Sequence, residues 1–376
     1  MFHVLDHSLT RWLAFLLGIM LVVPWHVEGL LTHGTLLFLA SLLLCFALMP
    51  LVIRFAKHMD ALDYPDARRV HALPTPRIGG LAVIIAANAT LLFNFEYSSA
   101  FKGVVISALM IGILSLWDDI KGLSATIKLV GQLLAVAILM YCDVTLHFAP
   151  NTWWGVMLEY VVTTLWMIGI TNAFNFLDGI NGLAASLAAT TCLLMGALAW
   201  HTDQSYMFYL CLAVAGAAVG FLADNARYQT PARSFLGDVG STYLGWTMAA
   251  IAVMGDWSDA NTIKAYAAPL LIFSVMIFDM IYTTIARIMR GDVYSFKTWI
   301  EYVGKDHLHH RLMDMGCTQL QAVILIISFS LMMGISALAL IKSHMFTVWL
   351  LLFQALVFYL TLSFFMLRVR KENKTP

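Results

Sequence analysis

Asn172-Ala-Phe-Asn-Phe-Leu-Asp-Gly-Ile-Asn-Gly-Leu183 sets three asparagines, an aspartate and two glycines between two apolar runs, 157–172 and 182–200. Polar groups at a membrane edge are costly unless they find partners. The glycines permit close backbone approach, and a helix restarting near Asn181 offers free N–H groups to an anion. This stretch therefore reads as a ligand loop between two membrane spans rather than as a polar hinge.

The rest of the chain supports that reading. Of its 376 residues, 61% are hydrophobic and 12% charged, whereas soluble domains carry about 25% charged residues. Apolar runs of roughly 15–25 residues recur along the whole length, as a polytopic helical protein requires. They lie near 30–53, 79–95, 103–117, 126–142, 157–172, 182–200, 205–223, 241–255, 265–287, 322–342 and 346–367, with a marginal run at 12–25. The expected fold is all-α, a membrane helix bundle of eleven spans, or twelve if 12–25 also crosses. It reads as one membrane domain, 1–376, with 1–28 an extra N-terminal segment and 368–376 a basic tail. Net charge is zero, and no nucleic-acid partner is expected. Five scattered cysteines without a CxxC pair support neither a disulfide framework nor a thiolate metal site. No small-residue cleavage site follows the first apolar run, so it does not read as a removed signal peptide.

Parity gives the topology. The connections 54–78, 118–125, 173–181, 224–240 and 288–321 are each separated from the next by two spans, so all five lie on one side. Among Lys and Arg, only Lys102, Lys264 and Lys342 fall on the alternate connections; Arg11 aside, the others fall on the motif-bearing side or the tail. The positive-inside rule makes that face cytoplasmic. A transporter would show midplane ionisable groups and internal symmetry; here most acids gather at one membrane edge and no repeat is found.

Each of the five loops carries candidate chemistry. Asp118-Asp119, followed by Lys121 and Lys128, is a carboxylate pair whose mutual repulsion a cation or protonated group would relieve. Alone, it could also be a solvated helix end. Asp178 lies among Asn172, Asn175 and Asn181, whose amides suit sugar hydroxyls, phosphate oxygens or a base edge. Phe235-Leu-Gly-Asp-Val-Gly-Ser-Thr242 presents Asp238 between glycines as an accessible oxygen ligand, with Asn225 and Arg233 before it; an ordinary tight turn is the plain alternative. His307-Leu-His-His-Arg311 could bind phosphate. As a zinc site, His307, His309 and His310 lack the usual i, i+4 spacing, and the nearby acids favour an oxygen-ligated ion, Mg²⁺ or Mn²⁺. The loop around Asp63, Arg68, Arg69 and His71, continuing into Pro74-Thr-Pro-Arg77-Ile-Gly79-Gly80, could hold an anionic lipid head group, or simply carry positive-inside charge. Acids for a metal, bases for phosphates and amides for a polar ligand, all on one face, describe phosphoryl transfer from a soluble donor to a lipid acceptor.

As a set, Asp118-Asp119, Asn172-x-x-Asn175-x-x-Asp178-Gly-x-x-Gly182, Phe235-Leu-Gly-Asp238, His307-x-His309-His310 and Pro76-x-x-Gly79-Gly80 resemble the polyprenyl-phosphate N-acetylhexosamine-1-phosphate transferases (glycosyltransferase family 4) over roughly 50–320. The resemblance implies ten or eleven spans and an active site in cytoplasmic loops of the bacterial inner membrane. It implies Mg²⁺-dependent transfer of a sugar-1-phosphate from a UDP-sugar to undecaprenyl (polyprenyl) phosphate, with release of UMP. The His-x-His-His form, the late span and the basic tail are similar to the branch that uses UDP-N-acetylglucosamine or a related UDP-N-acetylhexosamine and begins O-antigen, enterobacterial common antigen, teichoic acid or capsule assembly. The UDP-N-acetylmuramoyl-pentapeptide branch carries three successive histidines instead.

By resemblance, Asp238 is the first metal ligand, helped by Asp118 or Asp119. Asp118, Asp119 and Asp178 form the catalytic set, with Asp118 positioning or deprotonating the lipid phosphate and Asp178 a candidate nucleophile. Lys121, Lys128, Arg233, His307, His309, His310, Arg311 and the three asparagines would bind substrate. Asp63, Arg68, Arg69, His71, Arg77, Gly79 and Gly80 would form the lipid-phosphate loop. A homodimer is compatible with this pattern. Asn181 departs from the family by standing where many members carry a second Asp, and Trp299, Glu301 and Tyr302 make 292–305 unusual. Two readings of other classes are distinguishable: a transporter of anionic lipid or nucleotide sugar would move substrate without releasing UMP, and a silent scaffold would tolerate Asp238→Asn.

Overall fold

The computed structural model describes residues 8–22, 29–64, 73–92, 98–258, 262–295, 298–299, 302 and 304–372. Arg68, Arg69 and His71 of the expected lipid-phosphate loop lie outside the described residues. The chain divides into two compact units, one ending at Gly255 and the other starting at Asp256.

The first unit runs α1 (Ser8–Val22), α2 (Leu30–His58), β1 (Leu62–Asp63), β2 (Thr75–Pro76), α3 (Gly80–Leu92), α4 (Ser99–Lys121), α5 (Ala125–Tyr141), α6 (Trp153–Phe176), α7 (Leu183–His201), α8 (Ser205–Asn225) and α9 (Gly237–Met254). The second comprises α10 (Thr262–Ile272), α11 (Ser274–Arg290), α12 (Leu308–Asp314), α13 (Gln319–Ile341) and α14 (Met345–Glu372). Among the described residues seven helices are long and apolar enough to cross a membrane, or eight if α10 and α11 count as one bent span. The polytopic helical class expected from the sequence is what the structure shows. Three apolar helices, 9–22, 80–92 and 125–141, are shorter.

Helix α9 is the centre of the first unit: every residue from Val239 to Val253 is buried. It packs on α3, α4, α6 and α7. Apolar burial gives little drive between helices inside lipid, so close approach and polar contacts must hold them. Both are present. A Cβ on Gly80 would fall 2.1 Å from the Cα of Gly240, so α3 and α9 touch at two glycines. Trp246 Nε1 donates to Ser107 Oγ at 2.9 Å, Asn88 Nδ2 donates to Tyr243 Oη at 2.8 Å, and Ser115 and Thr242 share a hydrogen bond at 2.7 Å.

Helix ends differ from expectation in a way that matters for the site. Asp118 and Asp119 lie on the last turn of α4, which runs to Lys121 and stops at Gly122 with φ 74°. Asn172 and Asn175 lie on the last turns of α6, and Asp238 on the first turn of α9. Their side chains are therefore aimed by regular helix rather than by loop, and a carboxylate at a helix start is favoured by the macrodipole. The expected continuous span 265–287 is broken at Phe273, where α10 and α11 meet at 72°. Ser274 Oγ donates to Leu271 O at 2.6 Å, taking up a carbonyl that a continuing helix would use.

The marginal N-terminal run is a helix, and it is anchored. Arg11 donates from Nη2 to both carboxylate oxygens of Asp224, at 2.8 and 3.0 Å, and from Nη1 to Phe46 O at 2.7 Å. Its guanidinium carbon lies 4.4 Å from the Phe46 ring centroid. Asp224 is 0% exposed. Replacing Arg11 by Met leaves that buried carboxylate with Arg233 at 3.4 Å. We expect a loss of roughly 3–5 kcal/mol, largely restored in Arg11→Met/Asp224→Leu. Thermal midpoints in detergent measure this; an unshifted Arg11→Met would contradict it.

Candidate active site

The ends of α4, α5 and α9 converge in the first unit. Lys128 of α5 reaches between two acids: its ammonium is paired with Asp118 Oδ2 and donates to Asp238 Oδ2 at 3.0 Å. Asp118 is only 6% exposed. Its other oxygen accepts Leu123 N at 2.6 Å, just past the helix end.

Asp119 is a clamp. Its Oδ1 accepts Arg77 Nε and Nη2 at 3.0 and 2.8 Å, and its Oδ2 accepts Val239 N at 2.9 Å. One buried carboxylate thus ties the 73–80 loop to the start of α9. The backbone completes the junction. Phe235 N donates to Pro76 O, Gly79 N to Phe235 O and Gly80 N to Leu236 O, at 2.8, 3.0 and 2.8 Å. The Pro-x-x-Gly-Gly and Phe-Leu-Gly-Asp motifs are therefore two sides of one backbone pairing. Gly237 has φ 74°, and a Cβ there would lie 1.7 Å from Arg77 O, so this position needs glycine.

The stretch 172–183 joins the same junction. Asn175 Oδ1 accepts Ser241 Oγ at 2.8 Å. Gly182 N donates to Asn225 Oδ1 at 2.7 Å, and Asn225 Nδ2 donates to Ser234 O at 3.0 Å. Asn172 is turned to α5, donating to Gln132 Oε1 at 3.1 Å and to Ile168 O at 2.8 Å. Asn181 is half-buried and makes no side-chain hydrogen bond to the described residues. Asp178 is half-buried, and its carboxyl is pushed up to about 8, first by burial and then by the charges of Asp238 and Asp119, against a backbone hydrogen bond from Gly237.

The other candidates of this unit are Lys121, Arg233 and Asp63. Lys121 is exposed. Arg233 pairs with Asp224 at 3.4 Å. Asp63 lies in β1, paired with Thr75 of β2.

The second unit holds the His-x-His-His residues at the start of α12. His307, His309 and Arg311 are buried and His310 is half-buried. Arg311 Nε donates to Asp306 O at 2.6 Å, and its guanidinium lies over the Tyr282 ring. Burial pushes the Asp306 carboxyl up, but hydrogen bonds from Arg287 and Arg290 outweigh it and hold the group near about 2. Burial lowers His310 from its ordinary value.

A family model described as glycosyl transferase family 4 matches residues 101–256. A probable undecaprenyl-phosphate N-acetylglucosaminyl 1-phosphate transferase of Bacillus subtilis (strain 168) is 33% identical over 322 residues, covering 84% of this chain and 86% of that protein. The chain belongs to glycosyl transferase family 4. A decaprenyl-phosphate N-acetylglucosaminephosphotransferase of Mycolicibacterium smegmatis is 34% identical over 73% of each chain. A phospho-N-acetylmuramoyl-pentapeptide-transferase of Enterococcus hirae is 32% identical over 59% of this chain and 76% of its own.

In this family 4 chain several contributors had no distinctive sequence signal. Gln132 is one polar residue in an apolar helix, and Ser241 reads equally well as a helix cap. Asn225 was visible as a residue before the Asp238 motif, but its grip on Gly182 was not. A partial signal existed for Asp224: a carboxylate expected at a span's end needs a cation, and Arg11 is the basic residue of the N-terminal run.

The Asp178 value carries a pH prediction for protein held in chelator, so that no divalent cation neutralises Asp238. The folded carboxyl keeps its proton to about 8 while the unfolded one releases it near 3.8. Its contribution to stability is therefore full below the unfolded value and is lost as pH rises toward the folded one. Asp178→Asn should be stabilising, with a margin that widens between about pH 5 and about pH 8. A pH-independent difference in thermal midpoint would contradict the assignment.

Proposed function

We propose that the protein transfers N-acetylglucosamine-1-phosphate, or a related N-acetylhexosamine-1-phosphate, from the UDP-sugar to undecaprenyl (polyprenyl) phosphate, releasing UMP. The observation that carries this is the convergence of Asp118 and Asp238 on one Lys128 ammonium, in a chain whose relatives are named as polyprenyl-phosphate N-acetylglucosamine-phosphate transferases. We place the protein in the bacterial inner membrane, with α2 to α9, the bent α10–α11 pair, α13 and α14 as eleven crossings and the acid junction on the cytoplasmic face. The positive-inside distribution supports that orientation. Such an enzyme would carry out the first membrane step of a cell-surface polysaccharide.

The donor set fits Mg²⁺, with Mn²⁺ as an alternative. Two carboxylates drawn onto one cation mark a place built for positive charge, and carboxylate oxygen suits hard ions. Among the described residues no group of three His, Cys, Asp or Glu is ready to enclose an ion. Mg²⁺ commonly completes its shell with water and substrate phosphates. Asp238 and Asp118 would hold the ion, which when bound would neutralise phosphate charge in the transition state.

The protein's own residues do the positioning. A phosphate monoester, with a second pKa near ~6, is already largely a dianion at neutral pH, so Asp118 orients it rather than deprotonating it. One of its oxygens forms a bond to the donor phosphorus that carries the sugar. The bond from that phosphorus to the bridging oxygen breaks, and its electron pair leaves with UMP. Lys128 balances phosphate charge, Asn181 offers its amide to the donor, and Asp119 and Arg77 fix the junction. Direct displacement is preferred here over a phospho-enzyme at Asp178. His309, His310 and Arg311 are assigned to the donor's pyrophosphate or sugar.

Purified protein with undecaprenyl phosphate, Mg²⁺ and a panel of UDP-sugars tests the reading. We expect UMP and lipid-linked product from UDP-N-acetylglucosamine, abolished by chelator and reduced about 10²–10³-fold in Asp238→Asn, the scale for one lost electrostatic contact in a transition state. Folded protein that releases no UMP from any donor would overturn it, and flux of substrate without UMP would replace it with transport.

A further inference from the structure

Asp279 is a carboxylate on α11 that the proposed reaction does not use, and it is 1% exposed. A lone buried carboxylate is costly, so its partners show what it is for. Both of its oxygens are spent at the start of α12. Oδ2 lies 2.7 Å from His307 Nδ1, and Oδ1 accepts Leu308 N at 2.5 Å.

The other ring nitrogen of His307 is gripped as well. Nε2 lies 3.2 Å from Arg287 Nη2. A guanidinium only donates, so Nε2 accepts, and Nδ1 carries the proton that goes to Asp279. Arg287 stands two turns beyond Asp279 on the same helix. Asp306 holds it with three contacts of 3.2, 3.1 and 2.6 Å, and its guanidinium lies 4.5 Å from the Tyr302 ring centroid. Arg290 and Asp292 extend the same chain of ion pairs toward the surface.

The neighbouring histidines are in a different condition. His309 is 1% exposed, and neither of its ring nitrogens has a hydrogen-bond partner among the described residues. Its ring lies parallel to His307 at 6.3 Å and is 4.1 Å from His310. His310 is half-buried and makes no side-chain hydrogen bond to the described residues. Among the described residues the motif therefore splits into one imidazole whose two nitrogens are committed and two whose nitrogens are not.

We propose that Asp279 and Arg287 are positioning residues that lock His307 in the Nδ1–H form and use it as a strut. The strut sets the register of α12, so that His309 and His310, and not His307, present their nitrogens to the phosphosugar donor. The donor half of this statement rests on the proposed function above; the strut half does not. Asp279 acts through His307 and touches no substrate.

The experiment uses the full chain in bilayers, with UMP and UDP-N-acetylglucosamine as probes. Nitrogen NMR of ¹⁵N-histidine protein, with His307 assigned by loss of its signal in His307→Asn, reads the tautomer. We expect Nδ1–H at His307 in the parent; Nε2–H there overturns the strut. Binding of UMP by calorimetry, and KM for the sugar donor, read the consequence. An Asn amide can replace an Nδ1–H donor, so His307→Asn should bind UMP within about threefold of the parent. His310→Ala and Asp279→Leu should each weaken binding about tenfold or more, the scale of one lost charge-assisted contact. Asp279→Asn, which keeps an acceptor for Leu308 N, should fall between, and it keeps the test decisive where Asp279→Leu does not fold. His307→Asn as damaging as His310→Ala, or Asp279→Asn and Asp279→Leu both binding like the parent, would overturn the proposal. Parent protein that binds no UMP would sink the donor reading, while the tautomer alone would still decide the strut.

Discussion

One lysine ammonium between two carboxylates is the constraint on which the first unit depends. Asp118 ends α4, Lys128 begins α5 and Asp238 begins α9, so three helices must bring their ends to one point. Neighbouring carboxylates repel, and burial of Asp118 strengthens the need for compensation. Lys128 supplies it from within the protein. The surrounding features follow from holding that point still. Asp119 locks α9 to the 73–80 loop, the loop pairs with 234–236, and glycines at 80, 237 and 240 remove the side chains that would keep these segments apart.

Much of this was legible in the sequence. Apolar runs give the helices, and the grouped Asp, Asn and Gly residues are the ones that meet in the first unit. Partnership was not legible, because it depends on residues far apart in the chain. Asp118 and Asp119 look interchangeable as an adjacent pair, yet one faces Lys128 and the other is closed by Arg77 and Val239 N. Asn172 and Asn175 share a motif but turn to Gln132 and Ser241. Helix ends were read too short by several residues, since a polar residue looks like a loop until a partner is known to stabilise it on the last turn. The break at Phe273 was hidden by continuous hydropathy across 265–287, where one serine hydroxyl diverts a backbone carbonyl.

Two features separate this chain from what its motifs alone convey. The N-terminal helix lies outside the motif region, yet its Arg11 is bound to Asp224, which adjoins the Asn225 that holds Gly182 and Ser234. A segment that first looked accessory therefore reaches the residues that frame the 172–183 stretch. In the second unit the three histidines of one short motif are not equivalent. A buried aspartate in an apolar helix, a residue that hydropathy alone treats as a defect, accounts for the difference.

The most direct test of the central claim is binding of Mn²⁺, as a spectroscopic substitute for Mg²⁺, to purified protein without either substrate, followed by electron paramagnetic resonance. The carboxylate pair drawn onto Lys128 predicts saturable binding that is lost in Asp238→Asn and sharply weakened in Asp118→Asn. Saturable binding left unchanged by both substitutions would contradict the claim that these two carboxylates are built to share a cation.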